Sequence, residues 1–245
     1  MRCGKMKIEV WSDYVCPFCY IGKRRLEQAL EQFPNRDQVE VEFKSFELDP
    51  NAKPYSGQSI HELLASKYGM PVAQAKEMNE NLGQQAAELG LNYNFDEMKN
   101  TNTFDAHRLT KYAATVGKEK ELTELLLQSY FVEGKLISDH DVLAGLVESV
   151  GVERQEALNV LKDEKKYAND VRIDEAFAQQ IGVTGVPFFV INQKYSISGA
   201  QPTSTFLSAL QQVWEEEHPA PKLQDLSGEQ GAVCTDESCE IPTDK

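Results

Sequence analysis

Positive charge is scarce in this chain. Its 245 residues hold 25 lysines and arginines against 39 aspartates and glutamates, a formal net charge of −14 with a pI near 4.8. No basic run offsets that balance, which argues against a nucleic acid or an anionic membrane as partner and disfavours acidic substrates. Long apolar runs are missing as well. No segment approaches the roughly 18 consecutive apolar residues of a membrane helix, and residues 1–6 have no stretch of signal-peptide type. The expectation is a soluble globular protein of the cytoplasm. No internal repeat or low-complexity tract is evident, and with 41% hydrophobic residues the chain can bury the core of one large domain, or of a domain with a sizeable insertion. Cysteine is sparse, five in all. A static disulfide is unusual in a reducing cytosol, so a close pair there is expected to be catalytic, sensing or metal-bound.

Such a pair is present. Cys16-Pro17-Phe18-Cys19 lies where a strand, Lys7-Ile8-Glu9-Val10-Trp11, gives way to a helix running from about Pro17 toward Phe33. At a helix N-terminus, unpaired N–H groups and the helix dipole favour the thiolate of Cys16, the form that attacks disulfides. Cys19 is one turn on, on the same face, placed to close the ring. Half of a zinc site, or a chance spacing, are the alternatives to a redox pair. Cys3 reads as a bystander.

Along the chain, Val39-Glu40-Val41-Glu42-Phe43 alternates as a half-buried strand does, so the start reads β-α-β. From Gln58 to about Lys162 the period is helical. One helix carries Ile60, Leu63 and Leu64; a second, from Pro71, carries Val72, Ala75, Met78, Leu82 and Leu89 up to Gly90. A third carries Leu109, Tyr112, Ala113 and Val116, and a fourth Leu122, Leu125, Leu126 and Tyr130. Ser138 with Asp141 resembles a capping box opening a fifth, which stops before Gly151. These stripes read as core. A helix from about Glu164 to Ile181, a hairpin of Phe188–Ile191 and Tyr195–Ile197 around Asn192-Gln193, and a last helix from about Thr203 to Glu217 complete the pattern. The fold class expected is α/β: a thioredoxin-type unit from 1–57 and 163–217, an all-helical insertion at 58–162, and a flexible acidic tail at 218–245.

With these elements in place, the chain resembles the DsbA-like thiol-disulfide oxidoreductases, in their cytosolic FrnE-type branch, over about Lys7 to Glu215. Besides the cysteine motif, the resemblance rests on Phe46-Glu47-Leu48-Asp49-Pro50, Asn102-Thr103-Phe104-Asp105-Ala106-His107-Arg108, Gly182-Val183-Thr184-Gly185-Val186-Pro187 and Ser198-Gly199-Ala200-Gln201. It implies a thioredoxin fold with inserted helices, and that Pro187 is a cis-proline facing the cysteines. Kappa-type glutathione transferases and 2-hydroxychromene-2-carboxylate isomerases, in the same superfamily, typically carry serine where this chain has Cys16. A glutathione-dependent transferase or isomerase is therefore the second reading. A zinc or interaction module built from Cys16, Cys19, Cys234 and Cys239 is the third.

The expected mechanism is thiol–disulfide exchange: a mixed disulfide on Cys16 is resolved by Cys19, with Val186 and Pro187 presenting backbone to the substrate. Partners are protein or small-molecule thiols and disulfides, with glutathione as a candidate reductant. No cofactor, metal, nucleic acid or membrane is called for. Cys234 and Cys239, five residues apart in the tail, are a candidate redox relay to Cys16 and Cys19. His107 is weighed as a groove residue against ordinary helix packing, His140 as a helix-start residue, and Tyr14, Phe18 and Tyr20 as an apolar rim against core. Asp13 and Lys23 read as solvated, and none of these joins the catalytic set.

Overall fold

β1 (Met6–Ser12) alternates Met6, Ile8 and Val10 on one face with Lys7, Glu9 and Trp11 on the other, and all of its residues but Lys7 are buried. The structure is a computed structural model that describes residues 5–53, 55, 57–219, 233–234 and 239–240. A turn at 13–16 leads into α1 (Pro17–Gln32), and β2 (Val39–Ser45) returns parallel to β1. Then come α2 (Ile60–Tyr68), α3 (Val72–Ala87), α4 (Phe104–Thr115), α5 (Glu119–Phe131), α6 (His140–Ser149), α7 (Arg154–Lys162) and α8 (Ala168–Gln180). β3 (Phe188–Ile191) and β4 (Tyr195–Ser198) form an antiparallel hairpin before α9 (Thr203–Glu217). The hairpin turns on Asn192 and Gln193, at φ 50° and 54°, the left-handed pair that a two-residue turn requires. The sheet order is β2-β1-β3-β4, with β3 antiparallel to β1. This is an α/β thioredoxin fold whose strands come from the two ends of the chain, with helices inserted between them.

The parity of β1 sorts its two faces. Met6, Ile8 and Val10 join Leu26, Ala29 and Phe33 of α1 and Phe206, Leu210 and Val213 of α9 in one core. Phe189 and Phe206 meet there edge to face, 4.8 Å between centroids. On the opposite face Trp11 packs with Ala178 and Val190 and donates its indole N–H to the Asp174 carbonyl at 3.0 Å. Glu9, Lys44, Lys111 and Asp174 form a largely buried ion-pair network beside it. The outer edge of β2 is closed by the helices: Phe43 N–H donates to Glu119 (3.2 Å) and its carbonyl accepts from Lys111 (3.1 Å). A further core lies among the helices, around Leu109, Leu122, Leu126, Leu143 and Val147. Tyr14, Tyr20 and Ile21 belong to it, so sheet and helices meet at the cysteine turn.

Some helical expectations change. The helix expected from Glu164 starts at Ala168, because Arg108, 1% exposed, gathers the carbonyls of Val160, Asp163 and Lys166 and holds 163–167 as turns, with Tyr167 at φ 59°. α7, which the periodicity did not separate, precedes it. Ser138 does not cap α6. Asp139 does, accepting from Asp141 N–H (2.9 Å) and Val142 N–H (3.0 Å), whereas a full capping box forms at Ser59 and Glu62. In the α3 stripe, Val72 and Met78 are about half exposed, not core.

Candidate active site

The turn after β1 places both sulfurs. Asp13 C=O accepts the Cys16 N–H at 3.2 Å, and Cys16 becomes the N-cap of α1, with Pro17 in the first turn, where its missing N–H costs nothing. Cys16 has no side-chain capping bond, so its sulfur is left for other partners. Both thiols are free and buried. Their side chains are within hydrogen-bonding reach of each other, and Cys16 Sγ lies 3.6 Å from the Val186 carbonyl oxygen. Burial pushes the Cys19 thiol well above its ordinary pKa, helped by the hydrogen bond and charge of Cys16, while Asp13 N–H and the Ser12 hydroxyl pull the other way.

The Val186–Pro187 peptide is cis. Pro187 packs into the space that Gly22 leaves on α1: a Cβ at position 22 would stand 3.0 Å from Pro187 Cγ and 3.2 Å from Phe189 Cζ. The Pro187 carbonyl accepts the Gly199 N–H at 2.9 Å, and Arg25 donates to the Ala200 carbonyl at 2.6 Å. The segments quoted from the sequence thus converge here. Leu48 N–H reaches Asp13, as His107 does from α4, Gly199 braces the Pro187 loop, and Ala200 is tied to α1 through Arg25.

Asp13 is not solvated. It is 1% exposed, its carboxylate accepting Leu48 N–H at 2.8 Å and facing His107 Nε2 at 3.3 Å, and its N–H points at Cys19 Sγ, 3.5 Å away. His107, 3% exposed, packs against Tyr14 with ring centroids 4.7 Å apart and planes tilted by 39°. Its setting among Ala106, Leu109, Thr110 and Ala113, all buried, was the signal in the sequence that this histidine points inward. Lys23 is buried too, paired with Glu27 (2.6 Å) and with Glu124. Of the aromatic residues, Tyr14 and Tyr20 are core, and Phe18, 48% exposed, is rim. His140 starts α6 and pairs with Asp105 at 2.9 Å.

Beside the cysteines opens a groove of about 790 Å³ between the start of α1 and the α2–α3 pair. Cys16, Pro17, Phe18 and Leu48 form one side; Leu63, Leu64, Met78 and Leu82 form the other, with Tyr130 also contributing. Helical stripes that read as core therefore line an open wall. Cys16 is among the lining residues and Cys19 is not. Lys67 supplies the one cationic side chain among them.

In the tail, Val233–Cys234 and Cys239–Glu240 pair as short antiparallel strands with Cys234 opposite Cys239; the rest of 220–245 lies outside the described residues, as does Cys3. Among the described residues no group of three or more histidine, cysteine or acidic side chains is placed to hold a metal, and no helix is long and apolar enough to cross a membrane.

The DSBA-like thioredoxin domain matches residues 7–211. The uncharacterized protein YwbO of Bacillus subtilis (strain 168) is 31% identical over 207 residues, 83% of this chain and 94% of that protein. A probable DsbA oxidoreductase from Streptomyces coelicolor has a similar crystal structure, at TM-score 0.82 and 39% identity over 97% of this chain and 100% of that one. The cytosolic disulfide reductase DsbM from Pseudomonas aeruginosa, solved with GSH, shares the fold at TM-score 0.57 and 15% identity over 85% of this chain and 99% of that one. The chain belongs to the DSBA-like thioredoxin domain family.

Proposed function

We propose that the protein is a thiol–disulfide oxidoreductase working through a mixed disulfide on Cys16 that Cys19 resolves. The observation that carries this reading is the division of labour between two free thiols: Cys16 lines the groove, and Cys19 is buried behind it within hydrogen-bonding reach. Cys16 Sγ, as thiolate, attacks one sulfur of a substrate disulfide, and the other sulfur leaves as thiolate. Cys19 then attacks Cys16 Sγ, the second substrate sulfur leaves, and the pair ends as a disulfide; the reverse sequence oxidises a dithiol. Val186 and Pro187 offer backbone beside the reacting sulfur to an extended substrate segment. The thioredoxin-like unit is assigned to 1–57 and 163–217 and the insertion to 58–162, because the four sheet strands and α1 and α9 fall in the former.

The groove favours an apolar stretch flanking the substrate cysteine over glutathione as a specifically held ligand. Glutathione brings two carboxylates, and the lining offers Lys67 against Asp13 and Asp49. Glutathione as a reductant of the Cys16–Cys19 disulfide needs only its thiol. Replacing Cys16 with Ser is expected to abolish insulin reduction and the refolding of a scrambled disulfide protein, whereas Cys19→Ser accumulates mixed disulfides visible by non-reducing electrophoresis and mass. Wild-type activity in Cys16→Ser would overturn the assignment.

A further inference from the structure

A second opening lies away from the cysteines, where the core of the sheet and the core of the helices approach each other without closing. It is a cleft of about 1000 Å³, and it shares no lining residue with the groove beside Cys16. Leu26 and Leu30 of α1 with Val41 and Phe43 of β2, all of the sheet core or packed against it, form one side. Leu125 of α5 and Val150 at the end of α6, which pack against the helical core, form the other. Lys23 and Arg24 of α1 bridge the seam to Glu124 of α5, and Phe43 N–H is tied across it to Glu119. α1 lines the cleft from Lys23 to Glu31, about 12 Å at about 1.5 Å per residue, so the space is elongated as well as apolar. A volume of this size is that of a small-molecule site, and two apolar surfaces left unjoined gain from an occupant that covers both.

The charges decide which occupant fits. In a chain of net charge −14, this cleft holds five basic side chains, Lys23, Arg24, Arg36, Lys118 and Lys120, against four acidic ones. Most are paired with one another: Glu27 with Lys23 (2.6 Å) and Arg24 (2.9 Å), Glu124 with the same two, and Glu121 with Lys118 (3.1 Å). Arg36 and Lys120 are exposed, and among the described residues no carboxylate stands within salt-bridge distance of either, which leaves two cations at the rim against Glu31. The groove beside the cysteines has the opposite balance, Lys67 against Asp13 and Asp49. We infer that the cleft is a second ligand site and that it takes a small amphipathic carboxylate of the fatty-acid type. The hydrocarbon lies along Leu26, Leu30, Val41 and Phe43, and the carboxylate meets Arg36 or Lys120. Ion pairing at an exposed rim is weak by itself, so apolar contact supplies most of the affinity and the two cations select the anion over a neutral chain. No reacting sulfur borders the cleft, so the site stands whether or not Cys16 and Cys19 exchange disulfides.

The test is calorimetric titration of the full-length chain with sodium decanoate near neutral pH. Decanoate should bind at a single site with a Kd on the order of tens of micromolar, as a ligand of about 12 non-hydrogen atoms does at moderate efficiency. 1-Decanol, the same chain without the charge, should bind about tenfold more weakly, and raising salt from about 50 to about 500 mM should weaken decanoate alone. Arg36→Gln combined with Lys120→Gln, both surface changes, should lower decanoate affinity about tenfold, to that of decanol, and remove the salt dependence. The insulin reduction rate of that variant should stay parental. Leu125→Asp should abolish binding of both ligands; circular dichroism checks its fold, and the double variant decides the matter if it does not fold. Absence of binding, or equal affinity for decanoate and decanol, overturns the inference. Binding that Met78→Lys alters and the double variant does not would put the ligand in the groove beside Cys16 and overturn it too. A dimer in sedimentation that the double variant dissociates would give the cleft to a second copy of the chain, with the same consequence. Loss of disulfide exchange in Cys16→Ser leaves these titrations unchanged, so the two readings fail separately.

Discussion

Cys16 Sγ faces the Val186 carbonyl across 3.6 Å because residue 22, two turns along α1, has no side chain. Pro187 Cγ and Phe189 Cζ occupy the volume a Cβ there would claim, at 3.0 and 3.2 Å, and Phe189 is fully buried and unable to yield. The same glycine costs α1 about 1 kcal/mol relative to alanine, so close approach to the proline outweighs helix propensity at this position.

Gly22→Val should therefore destabilise the fold by about 1–3 kcal/mol through overpacking and move the Pro187 segment away from Cys16. Urea unfolding reads the first effect and the insulin reduction rate the second. Gly22→Ala regains helix propensity, so its stability should fall less while exchange still slows. A valine variant as stable and as fast as the parent would show that this contact does not position the site.

The groove gives a prediction that separates substrate size from chemistry. Met78 lines it and is 50% exposed. Met78→Lys should leave stability within about 0.5 kcal/mol, as surface changes do. Losing roughly half the burial value of a methionine, about 1 kcal/mol, should lower kcat/KM about fivefold for a cystine peptide with apolar flanks. A disulfide too small to reach α3, such as oxidised dithiothreitol, should react at the parental rate. Equal losses for both would mean that the substrate does not lie along this wall.

What the sequence disclosed, and what it hid, follows the range of the signals. The strands around Val10 and Phe189, the hairpin turn at Asn192, and α9 from Thr203 to Glu217 rest on neighbours in sequence, and they stand where expected. Asp13 read as solvated because its partner, His107, is 94 residues away; Lys23 read as solvated because Glu124 is 101 residues away. Pairing at that distance leaves no local trace. The start of α8 moved because Arg108 claims carbonyls from a different part of the chain. The α3 stripe misled in another way: the wall of an apolar groove repeats with the same 3.6-residue period as a core face, and only tertiary packing distinguishes Met78 from Leu109.

Lys23 and Glu124 tie α1 to α5, and that tie should be legible in acid. Burial pushes the Glu124 carboxyl up, but Lys23, with further help from Tyr20 and Arg24, outweighs it and leaves the group below its ordinary 4.5. A carboxylate whose folded value is depressed stabilises the fold fully above its unfolded value, and that share is lost as pH falls through the lower folded value. Glu124→Gln should therefore lower stability at neutral pH by about 1–3 kcal/mol, less than for a wholly buried pair because the side chain is 30% exposed. Its stability should also fall less steeply than the parent's below about pH 4.5. Parallel acid limbs for the two proteins, followed by circular dichroism, would remove Glu124 from the account.

The tail cysteines carry the last prediction. Cys234 and Cys239 stand directly opposite each other in an antiparallel pair. Cα atoms so placed lie about 4.5–5.5 Å apart, inside the roughly 4.4–6.8 Å that a disulfide spans. A fully extended chain of about 16 residues, the separation of His218 and Cys234, spans at most about 50 Å at about 3.3 Å each, which sets an upper bound on reach larger than the radius of gyration, about 18 Å, of a domain of this size. Tethering at that length gives an effective concentration on the order of millimolar. We propose that these two thiols exchange with Cys16 and Cys19, reducing or oxidising the pair from within the same molecule. In Cys19→Ser, where the mixed disulfide on Cys16 persists, peptide mapping should recover Cys16 joined to Cys234 or Cys239. Ending the chain at Pro219 should change the rate at which Cys16 and Cys19 are reoxidised, while its thermal unfolding stays that of the full chain. The relay is lost if no such crosslink forms and the shortened protein keeps the parental redox kinetics.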